Sequence, residues 1–315
     1  MDKNLIVKIS NGFGNQMFLY AAAYAFSKKL KYNLLIDNVT GIDGDLKKWK
    51  KKQRLLKPKY ELGIFNLKSN LAEDNYKFIN LKGYLKKKLL KFLNKFSYKK
   101  SFLNEKINNN KKTFYSNFYL SQNYYKNLYL EGYFESENYF KEYREDLIDE
   151  FSFKFNPIKE DNFFKRTIEN SNVVSIAFRR NRFSEFTEDA TNKVKLKKTA
   201  DFEKLTIEYI YRGVEYFKTK LENPKFLIWS DSFENLNQYF DPTQFIFVKN
   251  DSKNKAVSDF YLMRQCKYFI VGPTTFHWWA AWLCDNKKKI IICPKDSRLN
   301  LSSNLNFWPE SWLKI

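Results

Sequence analysis

Short apolar runs alternate with amphipathic stretches through the second half of the chain. Continuous apolar runs of this kind are typical of strands buried in a parallel sheet, and their alternation with helical patterns indicates βα units. The pattern predicts helices over 201–221 and 256–266, and strands at Val173 to Phe178, Phe226 to Trp229, Phe245 to Val248, Tyr268 to Val271 and Ile290 to Cys293. The second half is therefore predicted to be a parallel α/β domain.

The first residues of the chain show the same alternation. An apolar run from Leu5 to Ile9 is followed by a turn containing Gly12 and Gly14, a helical pattern and a second apolar run from Leu34 to Asp37. The glycines permit a tight turn and close approach of a ligand to the backbone. Their Gly-x-Gly-x-Gln spacing differs from Gly-x-Gly-x-x-Gly, which excludes a dinucleotide-binding fingerprint. A second parallel α/β unit is therefore predicted at the N-terminus.

A polar segment around Asn156 and Pro157 separates the two α/β patterns. We therefore predict an N-terminal α/β domain over residues 1–160 and a C-terminal α/β domain over residues 161–315. Residues at about 40–128 are the least regular and carry runs of lysine, so we predict that they form a basic variable insertion in the first domain.

One part of this region has a clear helical period. The apolar residues Leu81, Leu85, Leu89, Phe92 and Phe96 recur at the spacing of one helix face, and lysines surround them. A basic amphipathic helix of this kind fits an anionic membrane surface. A helix that packs on the protein's own core, with its lysines in water, explains the same pattern.

The formal net charge of the 315-residue chain is +21. Such an excess indicates partners that carry phosphate, namely nucleic acid, anionic lipid or nucleotide-linked substrates. No nucleic-acid-binding module is recognisable in the sequence, so charge alone supports that partner and we do not expect it.

Cysteine and histidine are sparse, with three and one residues respectively. An odd number of cysteines without metal-ligand spacing predicts buried thiols in a reducing compartment and no disulfide framework. A single histidine excludes a multi-histidine metal site. Asp43 and Asp45 offer two carboxylates for a divalent cation, but their glycine-containing setting favours an ordinary turn, and we expect no metal.

The sequence shows neither a predicted signal peptide nor a predicted transmembrane segment. The N-terminus lacks the apolar core of a signal peptide, and the longest apolar run contains Pro273 and His277 and is too short to span a bilayer. The predicted location is cytoplasmic. The lysine-rich segments add a peripheral position at an anionic membrane surface as an expectation.

Polar residues follow the predicted strands of the second half. Ligands in parallel sheets bind beyond the carboxyl ends of the strands. The candidate binding residues at these ends are Arg179, Arg180, Asp231, Thr274 and Thr275. Their shared position at one edge of the sheet predicts a ligand site there.

Arginines and a threonine-rich helix start both suit an anion. Guanidinium groups bind phosphate oxygens in bidentate fashion, and a helix N-terminus presents N–H groups and the positive end of its dipole. The alternative for the arginines is a salt bridge to Glu185, Glu188 or Asp189 just downstream. The alternative for the helix, which carries Trp278, Trp279 and Trp282, is a core helix with threonine caps.

Ordered motifs along the chain make it resemble the bacterial α-1,2-fucosyltransferases of glycosyltransferase family 11. The family's opening Gly-Gly-Leu-Gly-Asn-Gln-Met-Phe-Gln-Tyr-Ala is similar to Asn11 to Ala21, and its Gly-Tyr-Trp-Gln-Ser-Glu-x-Tyr-Phe is similar to Gly132 to Phe140. Further similarities are found at Trp229 to Asp231, Leu262 to Lys267, Thr274 to Trp279 and Pro309 to Trp312. The resemblance runs from residue 6 to residue 315 and is thinnest over 40–128.

The resemblance implies a GT-B-type architecture, in which two Rossmann-like parallel-sheet domains face a cleft. It implies an inverting transfer of L-fucose from GDP-fucose to the 2-hydroxyl of a galactoside, without metal or other cofactor, in surface glycan biosynthesis. The implied partners are a nucleotide sugar and a glycan acceptor, and the implied place of work is the inner face of the bacterial inner membrane. Positive groups must then stabilise the departing GDP, and a base must take the proton of the acceptor hydroxyl.

The arginine motif departs from the family pattern His-x-Arg-Arg-Gly-Asp. Here it reads Ala177-Phe178-Arg179-Arg180-Asn181-Arg182, so that the histidine, glycine and aspartate are replaced. Arg179 and Arg180 keep the implied role in binding the diphosphate. His277 replaces a family serine and is a candidate for the lost imidazole, with a satisfied histidine as the alternative. This departure leaves open a transferase with another nucleotide sugar or linkage, and an inactive sugar-nucleotide-binding protein.

The resemblance assigns the remaining candidates. The catalytic candidates are Arg179, Glu185 and His277, and the candidate bases are Glu185, Asp189, Glu135 and Asp231. Asp259 is expected to order the nucleotide or, alternatively, to cap a helix that begins near Phe260. Residues expected to line the cleft from the N-terminal side are Gly12, Gly14, Asn15, Gln16 and Glu135.

Overall fold

A computed structural model of the chain describes residues 3–42, 59–105, 107–108, 111–112, 116–180, 193–250, 254–300 and 304–315. The chain divides into two compact units, Met1–Lys154 with Ser302–Pro309, and Phe155–Leu301 with Glu310–Ile315. This division differs from the predicted one in two ways. The boundary falls after Lys154 instead of after residue 160, and the C-terminal segment Ser302–Pro309 belongs to the first unit. Phe307 of that segment is buried with its ring 6.2 Å from the ring of Phe18.

The first unit is built on a parallel sheet. Its strands are β1 (Asn4–Ser10), β2 (Asn33–Gly41), β3 (Asn70–Leu71), β4 (Lys100–Asn104), β5 (Ile107–Asn108), β6 (Lys111–Lys112) and β7 (Tyr124–Glu131). Its helices are α1 (Phe13–Leu30), α2 (Asn80–Phe96), α3 (Ser116–Leu120) and α4 (Arg144–Glu150), with 3-10 turns at Leu62–Ile64, Asp74–Tyr76, Glu137–Tyr139 and Lys141–Tyr143. Among the described residues, five strands pair in parallel in the order β3-β2-β1-β7-β4. The order reverses between β1 and β7.

The predicted variable insertion supplies part of this sheet. Strands β3 and β4 and most of β7 fall within residues 40–128, and β7 pairs with both β1 and β4. The prediction failed because lysines and asparagines interrupt the apolar runs of these strands. The lysine-rich residues 43–58, with Asp43 and Asp45, lie outside the described residues.

Glu131, at the end of β7, gathers three lysines. Its carboxylate lies 3.6 Å from the Lys8 Nζ and pairs with Lys87 and Lys91 of α2. Burial raises the pKa of Glu131, but the positive charges of Lys8, Lys87 and Lys91 outweigh burial and bring that pKa down to about 2. Burial also lowers the pKa of Lys87, against the pull of Glu131. This cluster fastens α2 to the sheet.

The second unit has a larger sheet of the same kind. Its strands are β8 (Val173–Phe178), β9 (Lys225–Ser230), β10 (Phe245–Phe247), β11 (Tyr268–Ile270), β12 (Ile290–Cys293) and β13 (Leu313–Lys314). Its helices are α5 (Phe163–Asn170), α6 (Lys193–Lys220), α7 (Lys255–Gln265) and α8 (Thr275–Leu283), with 3-10 turns at Leu236–Gln238 and Ser297–Leu299. In the described part of this unit six strands pair in parallel in the order β10-β9-β8-β11-β12-β13. The order reverses between β8 and β11.

Burial explains why the strands of this unit were predictable. All six residues of β8 are buried, and helices cover the sheet, so that continuous apolar runs are required. The five predicted strands are all present, and only the short β13 was missed. Cys266, Cys284 and Cys293 are buried thiols that form no disulfide, as predicted. Within the described ranges, no helix is long and apolar enough to cross a bilayer.

Replacing Glu131 by Gln is expected to lower the free energy of unfolding at neutral pH by about 2–3 kcal/mol, because Lys87 would stay buried without a counter-charge. The pKa of Glu131 is lower in the folded state than its ordinary value. Its stabilising contribution is therefore complete above about pH 4.5 and is lost as the pH falls towards about 2. Urea unfolding of both proteins across this range measures the difference.

A matched control is Glu142→Gln, which removes the exposed partner of Lys29 at 3.0 Å. An exposed pair contributes at most about 1 kcal/mol. Equal and small losses for the two variants would contradict the role given to Glu131.

Candidate functional site

The reversal of strand order in the second unit lies between β8 and β11. Ligands of open parallel sheets bind beyond the carboxyl ends of the strands at such a reversal. Strand β8 continues into Arg179 and Arg180, and β11 continues through Gly272 and Pro273 into α8. The arginine pair and the threonine turn, predicted separately, therefore follow the two strands that flank this point.

Gly272 lets the turn after β11 pass directly over β8. A Cβ added at Gly272 would lie 2.1 Å from the carbonyl oxygen of Ala177, so a larger residue would displace the turn. The Thr274 N–H donates to the Gly272 carbonyl at 2.7 Å and closes the turn. The Thr274 hydroxyl accepts the His277 N–H at 3.1 Å and caps α8. The N-terminus of α8 is thus fixed beside the end of β8.

His277 is a fully buried clamp between this turn and β8. Its Nδ1 accepts the Gly272 N–H at 3.3 Å, and its Nε2 lies 2.8 Å from the Ser175 Oγ. Because Nδ1 accepts, the ring proton lies on Nε2 and is donated to Ser175. Burial lowers the pKa of His277 to about 3, so the ring is neutral. The predicted catalytic role does not fit, because the imidazole has no exposed surface and both nitrogens are occupied.

The body of α8 belongs to the core. Trp278 and Trp279 are fully buried, and the Trp278 ring stacks on Trp282 at 6.0 Å and lies 5.5 Å from Trp312. The alternative of a core helix with a threonine cap is therefore confirmed for the tryptophans and Thr274. Thr275, the first residue of α8, is half-buried.

Arg180 holds the end of β8 against its neighbours. Its Nε donates to the Glu203 Oε1 at 2.7 Å, its Nη1 donates to the Glu234 carbonyl, and its guanidinium lies 5.6 Å from the centre of the Tyr239 ring. The salt-bridge alternative was right in kind, because Arg180 pairs with Glu203, about three turns into α6. The partners named in the prediction, Glu185, Glu188 and Asp189, fall outside the described residues. The predicted part of Arg180 in donor binding remains a prediction beside this internal role.

Arg179 and Asp231 occupy the ends of adjacent strands. Arg179 is half-buried, and the Oδ1 of the exposed Asp231 accepts the Arg180 N–H at 2.9 Å. The candidate bases Glu185 and Asp189 fall within 181–192, outside the described residues. Their roles stay predictions, as do those of Arg179 and Asp231.

Asp259 lies inside α7 rather than at its cap. The helix begins at Lys255, and the Lys255 ammonium pairs with the Oδ2 of Asp259, while the Asn250 Nδ2 donates to its Oδ1 at 3.4 Å. Burial raises the pKa of Asp259, and Lys255 opposes that rise. The capping alternative is therefore wrong, and ordering of a nucleotide by Asp259 stays a prediction.

The first unit has its own candidate residues at its strand-order reversal. Gly12 precedes α1 after the end of β1, and Glu135 follows β7. The Asn15 Nδ2 donates to the Glu135 Oε1 at 3.2 Å, and Glu135 is buried. This pair joins the elements that follow β1 and β7.

Gln16 is a buried residue that hydrogen-bonds to the backbone and does not line a surface. It is fully buried, its Nε2 donates to the carbonyls of Asn11 and Lys59 at 2.9 and 2.7 Å, and its Oε1 accepts the Glu61 N–H at 2.9 Å. Gly14 is buried as well. The predicted cleft-lining role fits neither residue, because a family motif does not distinguish residues that bind ligand from residues that shape the turn.

Sequence reasoning missed two residues that shape the site. Ser175 is a polar residue inside an apolar strand, and Glu203 is one carboxylate among many on a long amphipathic helix. They gain their partners only in the folded unit, where α6 packs near the end of β8 and brings Glu203 to Arg180, and where α8 brings His277 to Ser175. A serine within an otherwise apolar strand was the one hint available.

Comparison with known proteins places the whole chain in a family. The family model described as Glycosyl transferase family 11 matches residues 2–314. An alpha-1,2-colitosyltransferase from Escherichia coli is 25% identical, with 99% of this chain and 98% of the relative covered. The O-antigen biosynthesis glycosyltransferase WbnK from Escherichia coli is 24% identical over 95% of this chain and 98% of its own length.

The solved structure of the fucosyltransferase NodZ from Bradyrhizobium has the same fold. It aligns with a TM-score of 0.53 and 11% identity over 89% of this chain and 92% of NodZ. The two parallel α/β units of the chain thus confirm the predicted GT-B-type fold.

Replacing His277 by Asn is expected to flatten the pH dependence of stability. The pKa of His277 is lower in the folded than in the unfolded protein, so the unfolded state binds more protons at acid pH and stability falls as the pH falls below about 6.5. At about 1.4 kcal/mol per pH unit, this group removes about 2 kcal/mol by about pH 5. Urea unfolding of both proteins at about pH 6.5 and about pH 5 should show that the variant lacks this loss of stability.

The single histidine allows a direct check. Its imidazole signals in an NMR titration of the folded protein are expected to stay constant from about pH 8 to about pH 5 and to show a proton on Nε2. An imidazole that titrates near its ordinary pKa would contradict the buried clamp.

Proposed function

Since the chain belongs to glycosyltransferase family 11, we propose that it transfers L-fucose from GDP-fucose, with inversion, to the 2-hydroxyl of a galactoside. The observation that supports this best is the placement of Arg179 and the N-terminus of α8 after the two strands that flank the reversal in the second unit. Both groups suit a diphosphate. A NodZ crystal soaked with GDP-fucose, with a TM-score of 0.51 and 12% identity to this chain, supports a GDP-linked donor.

The proposed reaction is a single displacement. The acceptor hydroxyl attacks the anomeric carbon of fucose, the bond from that carbon to the GDP oxygen breaks, and negative charge collects on the leaving diphosphate. Arg179 and the dipole of α8 stabilise this charge, and for that reason we propose a reaction that needs no metal. Arg180, whose guanidinium is paired with Glu203, positions the end of β8 and adds its positive charge to the diphosphate site.

A carboxylate must take the proton of the attacking hydroxyl. Glu135 and Asp231 are the candidate bases within the described residues, and each follows a strand of a different unit. Glu135 is buried and accepts a hydrogen bond from Asn15, whereas Asp231 is exposed. Both carboxylates are therefore kept as candidate bases in this proposal.

A second donor is favoured by one relative. The alpha-1,2-colitosyltransferase shares about a quarter of its residues with this chain across nearly the full length of both. Colitose is L-fucose without its 3-hydroxyl, so the two donors differ by one hydrogen-bonding group. Asn181 and Arg182 replace the family glycine and aspartate, and this difference in sequence agrees with a change of donor. The name of the second relative supports surface glycan assembly as the setting.

Arg179→Ala is expected to weaken GDP binding by about 1.5–3 kcal/mol, or roughly ten- to a hundredfold in Kd, because a charged hydrogen bond to the diphosphate is lost. Calorimetric titration with GDP measures this. Arg212→Ala, which removes an exposed arginine from the middle of α6, is the matched control and should leave Kd unchanged. Wild-type affinity in the Arg179 variant would overturn the donor-site assignment.

Release of GDP is expected from the wild-type protein, in EDTA, only when donor and galactoside are both present. The assay compares GDP-fucose with GDP-colitose over a panel of galactosides. A site that hydrogen-bonds the 3-hydroxyl should prefer fucose by a large factor, because colitose would leave that group unpaired. Preference for colitose would select the second donor. Binding of both without turnover would indicate an inactive sugar-nucleotide-binding protein, and strict dependence on a divalent cation would contradict the metal-free proposal.

A further inference from the structure

Helix α2 carries its apolar stripe on the outside of the first unit. The five residues predicted to share one face, Leu81, Leu85, Leu89, Phe92 and Phe96, are 56–76% exposed. The helix is formed as predicted over Asn80–Phe96, but the alternative that this stripe packs on the protein's own core is wrong. An exposed, continuous apolar face marks a contact surface.

The opposite side of α2 fixes the direction of the stripe. Lys87 pairs with the carboxylate of Glu131, and Leu90 packs against the cluster around Phe78 and Phe102. The Asn94 Oδ1 accepts the backbone N–H groups of Ser101 and Phe102 at 2.6 and 3.1 Å. These contacts prevent the helix from turning its apolar side inward. The stripe is therefore a fixed feature of the folded unit.

Lysines border the stripe along both edges. At about 3.6 residues per turn, Lys88 and Lys95 lie on one side of it and Lys82 and Lys86 on the other, and all four are exposed. Residues 81–100 contain eight lysines and no acidic residue. The apolar stripe is thus flanked by lysines on both sides. In this arrangement the lysine side chains can extend to phosphate groups while the stripe enters an apolar layer.

We propose that α2 is a docking surface for an anionic lipid bilayer, lying flat in the headgroup region with its stripe inserted. A second copy of the chain fits the stripe poorly, because pairing two such faces would bring their lysines together without a compensating carboxylate. Anionic headgroups supply the opposite charge and an apolar layer in one surface. Lys87 and Lys91 take no part, because they are paired with Glu131.

The test is sedimentation of the full chain with phosphatidylcholine vesicles that do or do not contain phosphatidylglycerol. Wild-type protein is expected to bind only the anionic vesicles. Leu85→Ser/Leu89→Ser/Phe92→Ser should lower the partition coefficient at least tenfold, and Lys82→Gln/Lys86→Gln/Lys88→Gln/Lys95→Gln should lower it on the order of 10²-fold or more. All the replaced side chains are exposed, so the unfolding temperature should change little.

A matched control replaces exposed phenylalanines of the second unit, Phe155→Ser/Phe163→Ser, and should bind as the wild type does. Failure of the wild type to bind anionic vesicles, or equal binding by the stripe variant, would overturn the proposal. A vesicle-free dimer that the stripe variant converts to a monomer would also overturn it, by assigning the stripe to a second copy. Binding is measured without any sugar nucleotide, so the result is independent of the proposed reaction.

Discussion

A buried neutral imidazole determines the geometry of the sheet edge in the second unit where the candidate site lies. His277 accepts one hydrogen bond from the turn after β11 and donates another into the middle of β8. A protonated ring could not accept from Gly272, so the contact depends on the burial that lowers the pKa of His277. The absence of a side chain at Gly272 permits the close passage, and the imidazole secures it. The start of α8 is positioned by these two residues together.

The two units use one topological plan for different chemistry. In each, a central strand is flanked by a strand-order reversal, and the segments after the strands carry the polar residues. The second unit places arginines and a helix start there, which suits an anionic leaving group. The first unit places Asn15 and the buried carboxylate of Glu135 there, which suits a hydroxyl. This division of charge agrees with a transferase whose donor carries a diphosphate and whose acceptor is a neutral sugar.

Much of this plan was readable from the sequence, and the failures have physical reasons. Strands such as β8 are buried on both faces and must be apolar throughout, so the sequence predicts them closely. Strands β4 and β7 carry lysines and asparagines, a pattern that is typical of an insertion. Residue types at the strand ends were also predictable. Their partners were not, because Arg180 with Glu203, and His277 with Ser175, meet only through the packing of distant segments. The only histidine of the chain drew attention as a catalytic group, when its task is to hold a turn.

The central claim is that GDP binds at the reversal between β8 and β11. Hydrogen exchange of the full chain, followed by mass spectrometry with and without saturating GDP, tests it most directly. Slower exchange in peptides that cover 175–180 and 270–279 is the expected result, because the nucleotide would shield the strand ends and the start of α8. Protection confined to the first unit, or unchanged exchange in both of these peptides when GDP is bound, would contradict the claim.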